Sequence, residues 1–181
     1  ALMAFSMFRQ DHPDAYLYLH TIPGNVLGGF RIPQLLKATG LTDEHVRMAN
    51  PYDLRAGYTD KDMAAIYTAS DVLLAPSLGE GFGVPIIEAQ ACGTRVITSN
   101  WTATQDLAGP DSWLIDGQPF WDEPGQAFFY MPFIQSIVPA LKAAYDAERG
   151  TSQPSIDFAK QFDADAVWVK YWLPLLETRF G

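Results

Sequence analysis

The stretch that decides the fold is GEGFGVPIIEAQACG, residues 79 to 93. It places Glu80 in a glycine-rich loop and Glu88 eight positions further on, inside a predicted helix that begins near Val84. The glycines of the loop allow the backbone to approach a ligand closely, and the start of a helix favours an anion. Such a segment can bind the hydroxyls of a sugar or a ribose together with a neighbouring phosphate.

Each polar group of this segment has a possible role in such a site. The carboxylate of Glu80 can accept hydrogen bonds from sugar hydroxyls, and the N–H groups of Gly81, Phe82 and Gly83 can donate to a sugar oxygen or a phosphate. Glu88, about one turn into the helix, can accept two hydrogen bonds from a vicinal diol such as that of ribose. Spacing alone favours a plainer interpretation, in which Glu80 is a solvated loop residue and Glu88 lies on the helix surface.

Strands and short helices alternate on both sides of this segment, from about residue 1 to residue 116. This alternation is typical of βαβ units and a parallel sheet. We therefore predict an α/β fold, a Rossmann-like parallel sheet with helices on both faces and right-handed crossovers. Ligands of such sheets bind outside the carboxyl ends of the strands, where the 79–83 loop is expected. The predicted strands are 15–21, 45–50, 71–77, 94–99 and 112–115, and the predicted helices are 1–10, 31–40, 60–70, 84–92 and 103–108.

Local signals support several of these elements. Thr59 and Asp62 have the spacing of a capping box, and Pro85 stands in the first turn of its helix, where proline is tolerated. Gly40 and Gly93 each follow a predicted helix in the position of a C-terminal glycine. The segment 51–59 is predicted to be a polar loop.

The remainder of the chain has a different pattern. Residues 117–132 are rich in Pro, Gly and aromatics and are predicted to form an irregular excursion, and residues 133–181 are predicted to form C-terminal helices. One helix is expected to be interrupted or to begin at Pro139, and the last helix, 164–180, should be kinked or ended by Pro174. The whole chain, 1–181, is interpreted as a single domain.

Composition narrows the function. The 181 residues carry a net charge of −9, which argues against non-specific nucleic-acid binding and against an anionic membrane, though not against a small anionic ligand. The single cysteine, Cys92, fits a reducing compartment, so a cytoplasmic location is expected. The three histidines are scattered without metal-ligand spacing, and no metal site is predicted. Cys92 and Tyr67 are interpreted as core residues.

The residues of the central motif resemble those of a known protein family. EGFGVPIIEAQACGTRVI, preceded by Tyr67, by ASDV at 69–72 and by Pro76-Ser77, closely resembles the nucleotide-sugar-binding half of retaining GT-B glycosyltransferases of the family 4 type. The signature of that family is a Glu, seven residues and a second Glu, which Glu80 and Glu88 match; Arg95 stands where the family usually has Pro. The resemblance extends from PDAYLYLH at 13–20 to YWLPLLE at 171–177, which looks like the closing helix that packs on a partner domain.

The resemblance implies roles for individual residues. Glu88 would hold the ribose hydroxyls, and Glu80 would bind the donor sugar at the reacting centre, which makes it the one catalytic candidate. Residues 50–54 would line the base. Ser77 could bond a ligand hydroxyl or stabilise the turn. The backbone amides implied in the site are those of Gly81, Phe82 and Gly83 for the sugar and of Val84 for the diphosphate.

The resemblance also implies a reaction, the transfer of a sugar from a UDP- or GDP-sugar to an unknown acceptor, with retention and with neither a metal nor a cofactor. The Arg and Lys that hold the diphosphate in this family lie in a first strand–loop–helix, and this chain starts inside that helix. Arg9 and Arg31 are the nearest cations, and neither matches the motif. We therefore expect a donor-binding C-terminal half, inactive without the N-terminal acceptor domain, whose exposed sheet edge could promote a homodimer.

Two alternatives stay open at this point. The chain could be a non-catalytic module that binds a nucleotide sugar or another protein, or it could be a different Rossmann-type enzyme such as a dehydrogenase. The second is disfavoured because no G-x-G-x-x-G follows an early strand. Trp101, Trp113 and Trp121 could stack on a sugar or a base, or simply pack locally.

Overall fold

The computed structural model describes residues 1–24 and 31–180. Strands and helices alternate through the first part of the chain, and the last part is helical, which confirms the predicted α/β class. The strands are β1 (Leu17–Leu19), β2 (Val46–Met48), β3 (Val72–Ala75), β4 (Arg95–Ser99), β5 (Trp113–Ile115), β6 (Gly117–Asp122) and β7 (Ala127–Pro132). The α-helices are α1 (Leu2–Asp11), α2 (Ile32–Ala38), α3 (Pro51–Ala56), α4 (Asp60–Thr68), α5 (Val84–Ala91), α6 (Ala103–Asp106), α7 (Ile134–Asp146), α8 (Gln153–Ala159), α9 (Ala164–Val167) and α10 (Leu173–Phe180).

Strands β1 to β5 are paired in parallel, as predicted, but they form two hydrogen-bonded groups. β1 pairs with β2, and β3, β4 and β5 pair in that order. Both groups contribute to one apolar core, in which Leu17 and Leu19 of β1 and Val72 and Leu74 of β3 pack with α1 and α7. A cavity of about 780 Å³ lies between β1 and β3.

The second face of the β3–β4–β5 group is covered by other helices. Val96 of β4 packs there with Tyr67 of α4 and with Ile86 and Ala89 of α5. Helices therefore cover both faces of the parallel strands, as predicted. The alternation along β3 and β4 explains this, because neighbouring residues of a strand point to opposite faces.

The segment after β2 is a helix, and the prediction of a polar loop at 51–59 was wrong for its first six residues. The side chain of Asn50 accepts a hydrogen bond of 2.8 Å from the backbone N–H of Tyr52. Pro51 then supplies a backbone φ suited to the first helical position. A cap and a proline thus begin a short, exposed helix that hydrophobic periodicity could not reveal. The following capping box of Thr59 and Asp62 is confirmed.

Residues 117–132 form an antiparallel hairpin, so the prediction of an irregular excursion was wrong. Its register pairs Trp121 with Phe128 and Phe120 with Phe129. Aromatic residues favour the pleated, half-buried surface of a strand, and the tight connection at 123–126 ends on Gln126 at a positive φ of 48°. Pro124 lies in the connection and Pro132 ends β7. Pro119 pairs with Tyr130, whose N–H points away from β6 to the Leu78 carbonyl, so Pro119 occupies a position of the ladder that needs no N–H donor.

The helical C-terminal part also corrects two predictions about proline. α7 runs through Pro139 without interruption, because the carbonyl that loses its helical donor belongs to the exposed Gln135. The 164–180 helix is not ended by Pro174, since a π-helical turn, Trp168–Trp172, joins α9 to α10, which runs through that residue; the predicted kink stays a prediction. The wider spacing of that turn accommodates the missing N–H. Within the described residues, no helix combines the length and the apolar character that crossing a bilayer requires.

Helix α5, which carries the central motif, is fixed at both ends and along its buried side. Gly83 precedes it at a φ of 101° and Gly93 follows it at a φ of 80°, a left-handed conformation that favours glycine. A Cβ on Gly93 would also collide with Cγ2 of Thr151. The fully buried amide of Gln90 donates to the carbonyls of Ile86 (2.9 Å) and Leu107 (2.8 Å) and accepts from the N–H of Gly109 (2.8 Å).

The Gln90→Leu substitution should lower the free energy of unfolding by about 1–3 kcal/mol, because it leaves the buried Leu107 carbonyl and Gly109 N–H without partners. Urea denaturation followed by circular dichroism measures this loss. The same substitution at the exposed Gln105 is the control and should change stability by less than about 0.5 kcal/mol. Equal effects at the two positions would show that the buried amide bonds contribute nothing.

Candidate functional site

The loop between β3 and α5 is held in place by one hydrogen bond within the loop and by bonds to Ser99 and Thr102. The hydroxyl of Ser77 donates to a carboxylate oxygen of Glu80 at 2.9 Å, and the hydroxyl of Ser99 donates to the Ser77 carbonyl at 2.7 Å. The backbone N–H of Glu80 donates to Oγ1 of Thr102 at 3.4 Å. The loop thus lies against the carboxyl end of β4, which is where the sheet topology predicts a ligand site.

The predicted site residues fall on this loop and on the helix that follows it. The loop carries Ser77, Glu80, Gly81, Phe82 and Gly83, and helix α5 carries Val84 and Glu88. In the described part of the chain, no side chain caps the start of α5. Pro85 has no N–H, and the N–H of Ile86 donates to the Gly83 carbonyl at 2.9 Å. This leaves the N–H of Val84 at the positive end of the helix dipole, beside the exposed Phe82. This arrangement suits an anionic group.

Glu88 is oriented by a residue of a different helix. The hydroxyl of Tyr67, on α4, donates to Oε2 of Glu88 at 2.9 Å. Since Val84 and Glu88 are four residues apart, the Glu88 side chain lies on the same face of α5 as the helix start. Glu88 also borders the cavity between β1 and β3. Its second carboxylate oxygen is available to a ligand on that side.

Tyr67 combines a buried ring with a polar function. Its ring is buried, which agrees with the prediction that it is a core residue. Burial, and next the hydrogen bond to the Glu88 carboxylate, raise the pKa of Tyr67 well above its ordinary value of 10.0. The phenol therefore stays protonated and keeps donating to Glu88 over the physiological pH range.

Other predicted candidates lie elsewhere. Both terminal nitrogens of Arg9 donate at 2.6 Å to the carbonyls of Ala15 and Pro13, so this guanidinium fixes a turn. Arg31, the other cation considered, is exposed and stands at the start of α2. Residues 50–54 form the cap and most of α3, and no hydrogen bond connects them to the 77–83 loop in the described part of the chain.

The tryptophans and the cysteine pack locally. Trp113 packs against the core, Trp121 pairs across the hairpin with Phe128, and Trp101 stacks on Tyr130. Burial raises the pKa of the Cys92 thiol, which keeps it neutral and supports its interpretation as a core residue. Across residues 1–24 and 31–180, no three His, Cys, Asp or Glu side chains lie close enough to hold a metal ion.

The sequence interpretation missed three residues that shape the site: the hydroxyl of Tyr67, the hydroxyl of Ser99 and Thr102. Thr102 has an unusual backbone conformation for a non-glycine residue, with φ 49° and ψ −140°. Each of these residues is at least 21 positions away in the sequence from the residue that it contacts in the site. The sequence pattern around Glu80 and Glu88 therefore could not reveal them. The position of Tyr67 before the ASDV strand was the only signal that the sequence offered.

The Tyr67→Phe substitution should make stability less sensitive to alkaline pH. The folded state holds the Tyr67 proton to a higher pH than the unfolded state, so this contribution is fully present below pH 10 and is lost as pH rises from 10 towards the folded-state pKa. Unfolding midpoints of the two proteins, measured from pH 8 to 11, should therefore converge as pH rises. A constant difference over that range would show that Tyr67 titrates normally.

Comparisons with known proteins identify the family of this chain. Residues 29–122 match the family model described as glycosyl transferases group 1. A D-inositol 3-phosphate glycosyltransferase from Rhodococcus opacus (strain B4) is 32% identical over 123 residues, which are 66% of this chain and 26% of that protein. An MMP alpha-(1->4)-mannosyltransferase from Mycolicibacterium hassiacum is 39% identical over 56 residues, 31% of this chain and 14% of that protein.

Solved structures define the fold. Sucrose-phosphate synthase from Thermosynechococcus elongatus superimposes with a TM-score of 0.68 at 20% identity, covering 98% of this chain and 42% of that one. The fold is that of the GT-B glycosyltransferases. The chain belongs to the group 1 glycosyltransferases. It spans about a quarter or less of the length of the curated relatives described above.

Proposed function

We propose that this chain is the donor-binding domain of a retaining glycosyltransferase that uses a nucleotide-diphosphate sugar. The observation that carries the proposal is the arrangement of Glu80 and Glu88 around the uncapped start of α5. Each carboxylate accepts a hydrogen bond from a hydroxyl, Ser77 for Glu80 and Tyr67 for Glu88, both at 2.9 Å. These hydroxyls orient the carboxylates as acceptors towards a polyhydroxylated ligand.

The proposed roles follow from that arrangement. Glu88 accepts the two ribose hydroxyls, and the helix start with the Val84 amide faces the diphosphate. Glu80 contacts the donor sugar, together with the amides of Gly81, Phe82 and Gly83. Support comes from HepE of Anabaena, whose structure in complex with UDP and glucose superimposes with a TM-score of 0.51 at 17% identity, over 97% of this chain and 51% of that one. That likeness concerns the fold; the assignment of a UDP- or GDP-sugar to this chain is our proposal.

We further propose that the chain does not transfer sugar by itself. Departure of a diphosphate requires positive groups to stabilise the developing charge, yet the 77–88 segment contains two carboxylates and no Lys or Arg. Of the two cations considered from the sequence, Arg9 donates to the carbonyls of Ala15 and Pro13, and Arg31 lies exposed at the start of α2. The missing cations and the acceptor side would come from a partner domain of the GT-B type. No metal or cofactor is needed in this proposal, and we place the reaction in the cytoplasm.

We also propose that a second copy of this chain is a partner. In the described part of the chain, β1 pairs only with β2 and β3 only with β4, so each strand has one edge without a neighbouring strand. Such an edge can pair with another strand. Light scattering measures whether the chain is a homodimer, and a monomeric mass at all concentrations would contradict this partner.

Substitution of Glu88 should separate nucleotide binding from sugar binding. We expect Glu88→Gln to weaken binding of UDP or GDP about 10- to 100-fold, since a charge-assisted hydrogen bond contributes about 1.5–3 kcal/mol. Glu80→Gln should weaken UDP-glucose or GDP-mannose while leaving the corresponding nucleotide diphosphate within about twofold. Isothermal titration calorimetry with these four compounds measures both effects, and Glu44→Gln, an exposed site on a different segment, is the control.

Two results would contradict the proposal. Failure of all four compounds to bind the unmodified chain would remove the donor-binding function. Turnover of a nucleotide sugar onto an acceptor by the isolated 181-residue chain would show that no partner domain is required.

A further inference from the structure

The hairpin of β6 and β7 lies directly beside the candidate donor loop. The backbone N–H of Tyr130, on β7, donates to the carbonyl of Leu78 at 2.7 Å. The preceding residue of β7, Phe129, packs against the loop, since a Cβ placed on Gly79 would be 3.8 Å from Cδ1 of Phe129. The loop therefore runs along the outer edge of β7, and the hairpin forms a wall for it.

Tyr130 is held more firmly than the exposed residues around it. It is only 6% exposed, and its ring stacks on that of Trp101 with centroids 5.1 Å apart and ring planes 3° from parallel. Its hydroxyl accepts a hydrogen bond of 2.6 Å from the N–H of Gly117, at the start of the neighbouring strand β6. A side chain at Gly117 would collide with the Met131 carbonyl, so the close approach of the two strands requires glycine there.

The stacked rings of Trp101 and Tyr130 also adjoin Thr102, the second residue that holds the loop. Trp101 immediately precedes Thr102, whose hydroxyl accepts from the Glu80 N–H. Thr102 adopts a backbone conformation that is rare for a residue with a side chain, and such a conformation costs about 1–3 kcal/mol and persists only where its surroundings impose it. Packing of Trp101 on Tyr130 and the bond from the Thr102 hydroxyl to the Trp101 carbonyl (2.8 Å) are part of those surroundings.

We propose that the β6–β7 hairpin is a positioning element for the donor sugar and that Tyr130 is its positioning residue. Its backbone N–H holds the carbonyl of Leu78, and its ring packs on Trp101, which precedes Thr102, so both contacts that hold the loop come from one residue. Only the second contact depends on the side chain, because Tyr130→Ala removes the ring and keeps the N–H. The proposal rests on the proposed function of the loop. Glu88 is held separately, by Tyr67 on α4, so the hairpin should affect recognition of the sugar and leave recognition of the nucleotide unchanged.

The test compares Tyr130→Ala with Phe128→Ala. Both remove an aromatic ring from β7, but Phe128 is 59% exposed and touches neither anchor of the loop. Two quantities are measured: the backbone order parameters of Gly79 to Gly83 by ¹⁵N relaxation, and the ratio of the dissociation constant of UDP to that of UDP-glucose, with GDP and GDP-mannose measured in parallel.

We expect Tyr130→Ala to lower the order parameters of the loop from about 0.85 to below about 0.6. The ratio of the dissociation constant of UDP to that of UDP-glucose should move at least about threefold closer to one. The affinity for UDP itself should stay unchanged within about twofold. Phe128→Ala should change neither quantity. Tyr130→Phe retains the stacking ring and loses only the bond from Gly117, so it should change the same quantities in the same direction by a smaller amount; it provides the measurement if Tyr130→Ala does not fold.

An ordered loop in a folded Tyr130 variant would overturn the proposal, and so would an equal loss of affinity for UDP and UDP-glucose. If the unmodified chain binds none of the four compounds, the proposed function fails, whereas the order parameters still decide whether Tyr130 positions the loop. The two hypotheses are therefore distinguished by different measurements.

Discussion

The geometry of the candidate site depends on the fixed position of helix α5. Its buried side, Ile86 and Ala89, packs against Val96 of the neighbouring strand, and the amide of Gln90 ties the helix to the segment after α6 through two hydrogen bonds. Glycines in a left-handed conformation precede and follow the helix. A rotation of α5 about its axis would break these contacts and would move Glu88 away from Tyr67.

The two glutamates are related by this helix but are held by separate partners. Ser77 of the loop orients Glu80, and Tyr67 of α4 orients Glu88. Neither carboxylate faces a histidine or a second acid in the described hydrogen-bond pattern, so the arrangement suits recognition of hydroxyl groups better than proton transfer. The negative charge of the segment explains why we assign stabilisation of a leaving diphosphate to groups of another domain.

The sequence predicted what short-range chemistry determines. The capping box at Thr59, the start of α5 at Val84 and the glycine after that helix are all encoded within a few residues, and the structure confirms them. α3 escaped prediction because a cap and a proline begin it without a hydrophobic repeat. The hairpin escaped because Pro and Gly suggested a loop, whereas the cross-strand aromatic pairs that stabilise it become visible only when the register is known.

The candidate site was proposed from residues that are close in the sequence, and its assignment to a ligand stays a prediction. The motif of Glu80 and Glu88 is continuous in sequence, and the structure puts its residues on one loop and one helix start. The residues that orient them, Tyr67, Ser99 and Thr102, come from other elements and are brought near only by the packing of α4, β4 and α6 around α5. A pattern read along the chain has no means of detecting such contacts.

The measurement that most directly tests the central claim is a map of where a nucleotide sugar binds. Amide chemical shifts of the ¹⁵N-labelled chain would be followed while UDP-glucose and GDP-mannose are added. The account predicts that the largest changes for the sugar that binds fall on Gly81, Phe82, Gly83 and Val84 and in the turn that contains Glu88, and that they are reduced in Glu88→Ala. Identical shifts in Glu88→Ala, or changes centred on another part of the molecule, would contradict it.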